Sequence, residues 1–309
     1  MIETPWGQLA VADAHIHFFS HRFFGALAEQ KGIPFDRLTP LLSAPPLQWN
    51  LPSEDPNQLA DVWVHELDRH GVEKAAIIAS VPGDGESVIA AVSRHPRRFY
   101  GYMMVNPTAA SALTEVNAAL AGGHIHALCF FPAMHRYSMH DDRVTALLEL
   151  LAAHPRTVAF VHCGVLSVGV RKVLGLPSPF DMRYSNPIDL HGVALRYPNL
   201  RFVVPHFGAG YLREALMLCD LCPNVYLDTS SSNSWMRYEE SHLDLRNVFR
   251  RALDVAGPKR LLFGTDSSYF PRGWNAHIFE AQSKALYEIG VTDEVARLIF
   301  QDNLPHLFS

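Results

Sequence analysis

The chain has 309 residues, of which 48% are hydrophobic and 18% are charged, and its formal net charge at neutral pH is −5. This length and hydrophobicity allow one large buried core. The slightly acidic balance provides no broad basic field, which argues against nucleic acid as a general partner. The four cysteines show no disulfide framework, and neither a secretory signal nor an apolar run of roughly 18 residues is evident. We therefore expect a cytoplasmic protein that acts on a small molecule and has no membrane or nucleic-acid partner. Composition alone does not choose between one barrel and two smaller domains, and the strand pattern described next favours a single domain over residues 1–309.

Short runs of β-branched and aromatic residues alternate along the chain with longer amphipathic runs. This alternation is typical of a parallel sheet wrapped by helices. It predicts eight strands, at residues 9–14, 74–80, 99–105, 127–131, 157–161, 201–205, 225–228 and 260–264. Eight strand-helix units in a chain of this length predict an α/β fold, a single (β/α)8 TIM-type barrel.

Two connections that follow predicted strands are unusually long. Residues 18–53 follow the first strand and are rich in aromatic residues and proline, and residues 164–185 follow the fifth strand. Because barrel active sites form at the carboxyl ends of the strands, both loop insertions would lie at that face. We expect a lid or a pocket wall, and a purely packed insertion is the alternative.

Two histidines, His15 and His17, lie one residue apart at the end of the first strand. Alternate side chains of a strand share a face, so both imidazoles can bind one divalent ion. Three later strands also end in ligand-type residues: His162, His206 and Asp266. A single histidine is more often a packing or surface residue than a ligand. The shared position at the strand ends, where a barrel gathers distant residues, instead predicts a metal site that uses most of these five.

Three stretches resemble the amidohydrolase superfamily, in its amidohydrolase-2 branch; they read DAHIH at 13–17, VPHFG at 204–208 and FGTD at 263–266. That branch contains aminocarboxymuconate semialdehyde decarboxylase, related aromatic-acid decarboxylases and hydrolases of lactones. The resemblance spans essentially the whole chain. It implies that His15, His17, His162 and Asp266 bind one divalent metal, with zinc favoured over manganese or iron. It also implies that His206 is a catalytic side chain beside the metal, and that the protein forms a homodimer.

Members of the superfamily with two metals use a lysine after the fourth strand to bridge the ions. Residues 127–131 of this chain contain no lysine. The resemblance therefore favours a single metal.

A metal with an open coordination position lowers the pKa of bound water to about 7. Asp266 would accept the proton of that water, and His206 would polarise a carbonyl group or carry a proton to the leaving group. These roles predict hydrolysis of an ester, a lactone or an amide. The alternative is a non-oxidative decarboxylase in which the metal holds the substrate carboxylate. Several decarboxylase branches carry glutamate in place of the first histidine, so His15 modestly favours hydrolysis. A third hypothesis is a binding protein that retains the barrel without turnover.

Substrate contacts are predicted at Arg183, Arg272 and Tyr269, which lie in segments that follow strands, as do Arg22 and Arg171. An arginine in the pocket would hold an anionic group and would favour the decarboxylase. For each arginine, a solvent-facing position or a structural ion pair is the alternative. The polar run at 228–235 faces the same rim, where its hydroxyl groups would bind substrate or cap the next turn.

Overall fold

The computed structural model describes residues 1–231, 233–239 and 243–309. A short antiparallel pair, β1 (Ile2–Thr4) and β2 (Gly7–Leu9), precedes an eight-stranded sheet. The sheet is parallel throughout, and its strands are neighbours in chain order. Its strands are β3 (Val11–Phe18), β4 (Val72–Ala79), β5 (Phe99–Val105), β6 (Ile125–Phe130), β7 (Val158–Val161), β8 (Arg201–Val204), β9 (Val225–Asp228) and β10 (Leu261–Leu262).

Backbone hydrogen bonds between β3 and the residues around and after β10 close the sheet into a barrel. The N–H of Ala14 donates to the carbonyl of Phe263 at 2.7 Å, and the N–H of His17 donates to the carbonyl of Ser267 at 2.7 Å. The predicted (β/α)8 barrel is thereby confirmed. The first strand continues to Phe18, beyond its predicted end at residue 14, so His15 and His17 lie within the strand.

Fourteen α-helices occur in the described part of the chain. Their bounds are α1 (His21–Lys31), α2 (Phe35–Ser43), α3 (Pro56–His70), α4 (Gly85–Arg94), α5 (Ala112–Ala121), α6 (Pro132–His135), α7 (Asp142–Ala153), α8 (Gly169–Val173), α9 (His191–Arg196), α10 (Leu212–Leu221), α11 (Leu245–Val255), α12 (Ala276–Glu288), α13 (Asp293–Arg297) and α14 (Asn303–His306). None of them is both long enough and apolar enough to cross a membrane.

The strands are apolar on both faces because each face packs against a different core. One set of alternate residues packs with the helices, as Ile77 of β4 does with Trp63 and Leu67 of α3. The other set, which includes Ile78 and Phe160, fills the barrel interior. This double burial explains why the strands are nearly continuous hydrophobic runs in the sequence.

The two long connections are folded segments that pack on each other. Helices α1 and α2 occupy most of residues 18–53, and α8 lies within residues 164–185. Phe23 and Leu27 of α1 share a small apolar cluster with Val170 of α8. The helical spacing of the apolar residues in α1 accounts for a helix where the aromatic and proline content had indicated a loop.

Candidate metal centre

Three side chains bring their ligand atoms together at the carboxyl end of the barrel. The Nε2 atoms of His15 and His17 are 3.4 Å apart. Asp266 Oδ1 lies 3.1 Å from His17 Nε2 and 3.6 Å from His15 Nε2. All three atoms fall within 4.8 Å of one another, which is close enough for one ion to contact all of them.

Hydrogen bonds on the far side of each imidazole fix which nitrogen faces this group. His15 Nδ1 lies 2.7 Å from Asp228 Oδ2, and a carboxylate can only accept, so Nδ1 carries the hydrogen. His17 Nδ1 lies 2.8 Å from Ser80 Oγ, whose own hydroxyl donates to the carbonyl of Ile78 at 2.9 Å. Both Nε2 atoms therefore direct lone pairs at the Asp266 carboxylate. Two lone pairs and an anion at this distance repel one another unless a cation lies between them, so the residues fit a divalent metal.

The charges around His15 also favour a bound cation. Burial lowers the pKa of His15, but Asp228, Asp266 and Asp13 outweigh this effect and the net pKa is raised. Burial raises the pKa of Asp266, but the hydrogen bond from His17 and the charges of His17 and His15 lower it by more. The net pKa of Asp266 therefore lies well below the ordinary value. These carboxylates thus stabilise positive charge at His15, whereas burial lowers the pKa of His17, so that a metal ion would compete with a proton at His15 and meet a neutral imidazole at His17.

Two of the predicted site residues have strained backbones. Asp266 and His206 both have a φ of 57°, in the left-handed region that non-glycine residues seldom adopt. The N–H of Asp266 donates to the carbonyl of His15 at 2.9 Å, and its carbonyl accepts from Arg272 Nη2 at 3.1 Å. Because its backbone N–H and its carbonyl are both held by hydrogen bonds, Asp266 keeps this conformation. Strain of this kind is concentrated at functional sites.

A buried carboxylate, Asp13, connects the two chain segments that carry the ligands. Its Oδ1 accepts from the N–H of His15 at 2.9 Å and from the N–H of Thr265 at 3.1 Å. Its Oδ2 accepts from Trp274 Nε1 at 2.8 Å. Burial raises the pKa of Asp13 to about 6. Asp13 shares a strand face with His15 and His17, and that spacing is the signal by which sequence reasoning could have found it.

Gly264 permits the close approach of His15 and Asp228. A Cβ atom at position 264 would lie 2.9 Å from the Cβ of His15 and 3.1 Å from Asp228 Oδ1. Any larger residue there would displace one of these side chains. Asp228 and Ser80 were not predicted as site residues, because no local pattern shows which imidazole they contact.

His206 stands beside the three ligands. Its ring centre is 5.0 Å from that of His15 and 5.2 Å from that of His162. His206 Nδ1 lies 3.3 Å from the carbonyl oxygen and 2.9 Å from the Oγ of Ser230. The carbonyl can only accept, so Nδ1 carries the hydrogen and Nε2 is left with a lone pair.

His162 lies next to the group of three ligand atoms and is not part of it. Its ring stacks on Phe131 at 5.3 Å between centres. Burial holds its pKa well below the ordinary value, so the imidazole is neutral. Its Nδ1 is buried and has no hydrogen-bond partner among residues 1–231, 233–239 and 243–309. A buried polar atom without a partner suits a ligand that a metal would engage.

A cavity of about 920 Å³ opens above these residues, and both long connections contribute to its wall. Tyr269 and Arg272 line it, as predicted substrate contacts should. The Tyr269 ring lies against that of Trp49 in a tilted arrangement with 3.9 Å between centres, and the Arg272 guanidinium lies 5.2 Å from the Tyr269 ring centre. Arg183 is 82% exposed, pairs with Asp181 at 2.6 Å and does not line the cavity.

The polar run at 228–235 contributes Ser231, Ser234 and Trp235 to the same wall. Ser232, which belongs to this run, lies outside the described residues.

A sequence model of the amidohydrolase family matches residues 12–303, so the chain belongs to this family. Protein fluG of Emericella nidulans is 33% identical over 144 residues, which make up 45% of this chain and 15% of that protein. The chain thus matches only a small part of this relative's length.

Solved structures with the same fold carry names from two reaction classes, and two of those described next contain a bound metal. A 5-carboxyvanillate decarboxylase of Novosphingobium aromaticivorans, with bound manganese, has a TM-score of 0.64 and 15% identity, over 100% of this chain and 99% of the other. A probable 2-pyrone-4,6-dicarboxylic acid hydrolase of Acinetobacter baumannii has a TM-score of 0.61 and 15% identity, over 97% and 99%. An amidohydrolase of Burkholderia multivorans, with bound zinc, has a TM-score of 0.63 and 16% identity, over 97% and 99%. At these identities the likeness shows the shared barrel.

Proposed function

We propose that this protein is a metal-dependent hydrolase that cleaves an ester, lactone or amide bond of a small organic substrate, including aromatic and carboxylated compounds. One divalent ion, zinc before manganese or iron, would be held by His15, His17, His162 and Asp266. When bound, such an ion lowers the pKa of a water molecule and polarises the substrate carbonyl. The observation that carries the proposal is the convergence of three ligand atoms within 4.8 Å beside a histidine whose Nε2 is free.

The protein's own side chains supply proton transfer and orientation. Asp266 is anionic and belongs to the ligand group, so its carboxylate is placed to accept the proton of the attacking water. His206 is held at Nδ1 by Ser230, so its Nε2 lone pair can take up the proton that Asp266 accepts from the water and pass it to the leaving group. Arg272 lines the cavity and is placed to hold an anionic group of the substrate.

A non-oxidative decarboxylase acting on an unsaturated or aromatic carboxylic acid is the second candidate. Arg272 favours it, because the cationic side chain lies in the cavity next to Asp266. There it can hold one carboxylate of the substrate while a second carboxylate leaves as carbon dioxide and its carbon takes up a proton. The decarboxylase from Novosphingobium aromaticivorans, which has the same fold, adds support.

The deciding experiment separates the two products. Protein stripped with a chelator and reloaded with zinc, manganese or iron is assayed on small lactones, aryl esters and aromatic acids, with carbon dioxide and acid release measured in parallel. Acid release that depends on added metal supports the hydrolase. Carbon dioxide release would replace it with the decarboxylase. Tight ligand binding without either product, in protein that contains about one metal per chain, would point to the binding protein.

We also propose a cytoplasmic homodimer, on the grounds of the cysteine pattern and of the family resemblance. Sedimentation equilibrium of the metal-loaded protein tests the oligomeric state.

A further inference from the structure

Arg171, on α8, is a cavity arginine without an acidic partner. Several arginines outside the cavity pair with carboxylates; examples are Arg94 with Asp61 at 2.7 Å and Arg143 with Asp141 at 2.6 Å. In the described part of the chain, no carboxylate lies within salt-bridge distance of Arg171. Its positive charge is therefore not neutralised within that part of the protein.

Neutral acceptors fix the Arg171 guanidinium in place. Its Nε and Nη2 donate to the carbonyl of Pro177 at 3.1 and 2.6 Å, and its Nη1 donates to Gln30 Oε1 at 2.5 Å. A guanidinium carries five N–H donors, so one donor on Nη1 and one on Nη2 remain. Two adjacent donors on a fixed arginine match the two oxygens of a carboxylate.

The position of Arg171 relative to the metal centre follows from helix α1, which runs between them. Its first turn follows β3 directly, and the Phe19 ring lies 5.5 Å from the ring of the ligand His17. The cavity is lined in turn by Phe23, Leu27 and Gln30, at the spacing of one helix face. The helix rises about 10 Å between Phe23 and Gln30. Phe23 and Leu27 are buried whereas Gln30 is exposed, so Gln30, and Arg171 with it, lies toward the outer end of the cavity.

The wall between these two ends is apolar. The rings of Phe19 and Phe23 stack at 3.9 Å, and Leu27 and Val170 continue the surface. A polar substrate body would lose hydration along this wall without replacing its hydrogen bonds. The cavity thus combines ligand atoms and Arg272 at its base, a long apolar wall, and a cation near its mouth.

We propose that Arg171 and Gln30 form a distal anion-binding subsite, which selects substrates whose carboxylate is separated from the reacting carbonyl by an extended apolar body of about 10 Å. This inference rests on the proposed function, because it takes the ligand group as the reacting end. It places a compound with both polar groups on one ring outside the preferred class, since such a compound is too short to reach Arg171.

The test uses the metal-loaded protein and a homologous series of straight-chain α,ω-dicarboxylates, with the monocarboxylate of equal length as the partner of each. Calorimetry gives the dissociation constants. We expect the dicarboxylate advantage to be absent for short chains and to reach roughly tenfold once the chain spans the cavity. In Arg171→Gln this advantage disappears while monocarboxylate binding is retained, and Arg171→Lys keeps part of it. Arg183→Gln, which removes a cation from the same connection outside the cavity, keeps all of it.

Equal binding of dicarboxylates and monocarboxylates at every length would overturn the subsite, as would an undiminished advantage in Arg171→Gln. A failure of the proposed function looks different: no metal-dependent acid release occurs, whatever the ligand length. Loss of monocarboxylate binding in Arg171→Gln would also count against the subsite, because it would assign Arg171 a general role in shaping the cavity.

Discussion

The backbone N–H of Asp266 donates to the backbone carbonyl of His15 at 2.9 Å. This bond belongs to the seam that closes the barrel, and its two residues also provide two of the three converging ligand atoms. Closure of the barrel and assembly of the site therefore depend on the same contact. A change that opens the seam should weaken metal binding, and metal binding should stabilise the seam.

Removing the metal should lower both activity and stability. Chelation takes away a cation between two imidazole lone pairs and the Asp266 carboxylate, so the melting temperature should fall and should recover on addition of zinc or manganese. Elemental analysis and thermal melts, with and without chelator, measure this. Asp266→Asn should contain little metal and show no such recovery. A melting temperature that changes neither with chelator nor with added metal would contradict the proposed metal site.

Asp228→Asn should weaken metal binding although Asp228 is outside the ligand group. The carboxylate holds the hydrogen of His15 on Nδ1, and loss of such an orienting partner typically costs 10- to 100-fold in metal affinity. Competition with a chromogenic chelator gives the affinity. Asp61→Asn, which breaks a surface pair with Arg94, is the matched control and should leave it unchanged.

His206→Asn should reduce turnover while leaving the metal content at the wild-type level. A positioned group that transfers a proton contributes roughly 10²- to 10⁴-fold to the rate, and the loss should appear in kcat. Steady-state kinetics and elemental analysis of the same preparation test both statements. Metal lost together with activity would assign His206 to the ligands instead.

Gly264→Ala should destabilise the protein and lower its metal affinity. The added Cβ would meet the Cβ of His15 at 2.9 Å and that of Ser230 at 3.0 Å, and such overpacking typically costs about 1–3 kcal/mol. Denaturant unfolding of the metal-free and metal-loaded forms measures the cost. Gly25→Ala, in α1 with no atom within 4 Å of the added Cβ, should be neutral or slightly stabilising.

His135 should make the protein less stable in mild acid. Burial lowers its pKa from 6.5 to about 4, so the unfolded chain binds a proton more readily than the folded protein. Above pH 6.5 His135 is neutral in both states and costs no stability. As the pH falls from 6.5 toward 4, the free energy of unfolding decreases, by about 1–2 kcal/mol at pH 5. Urea unfolding at pH 7 and pH 5 should show a smaller difference in His135→Gln. His140→Gln, at a side chain that is 56% exposed, should retain the wild-type difference.

The barrel and the ligand group could be predicted because both follow from periodicity. Residues two apart in a strand share a face, which brings His15 and His17 together, and the closure of eight strands brings Asp266 to them. The orienting partners could not be predicted in this way. Asp228 at the end of β9 reaches His15 on β3 past the intervening β10, and that contact depends on strand register and on the space left by Gly264.

The arginines show where local pattern carries no information. Arg183 and Arg272 both follow strands, yet Arg183 turns outward to Asp181 whereas Arg272 turns inward to the carbonyl of Asp266. Their directions are set by how the connections fold, and sequence spacing does not encode this. Arg171 enters the cavity because α8 packs against α1, two segments that lie far apart along the chain.

The seam between β3 and the residues around and after β10 has a consequence for biosynthesis. During translation, His15 and His17 leave the ribosome well before Asp266, because about 250 residues separate them along the chain. A nascent chain arrested before residue 266 carries the first two imidazoles without the carboxylate and without the backbone bonds that align them. Incorporation of the ion should therefore follow the synthesis of residue 266, and chains truncated before that residue should not compete with the folded barrel for the cell's metal supply.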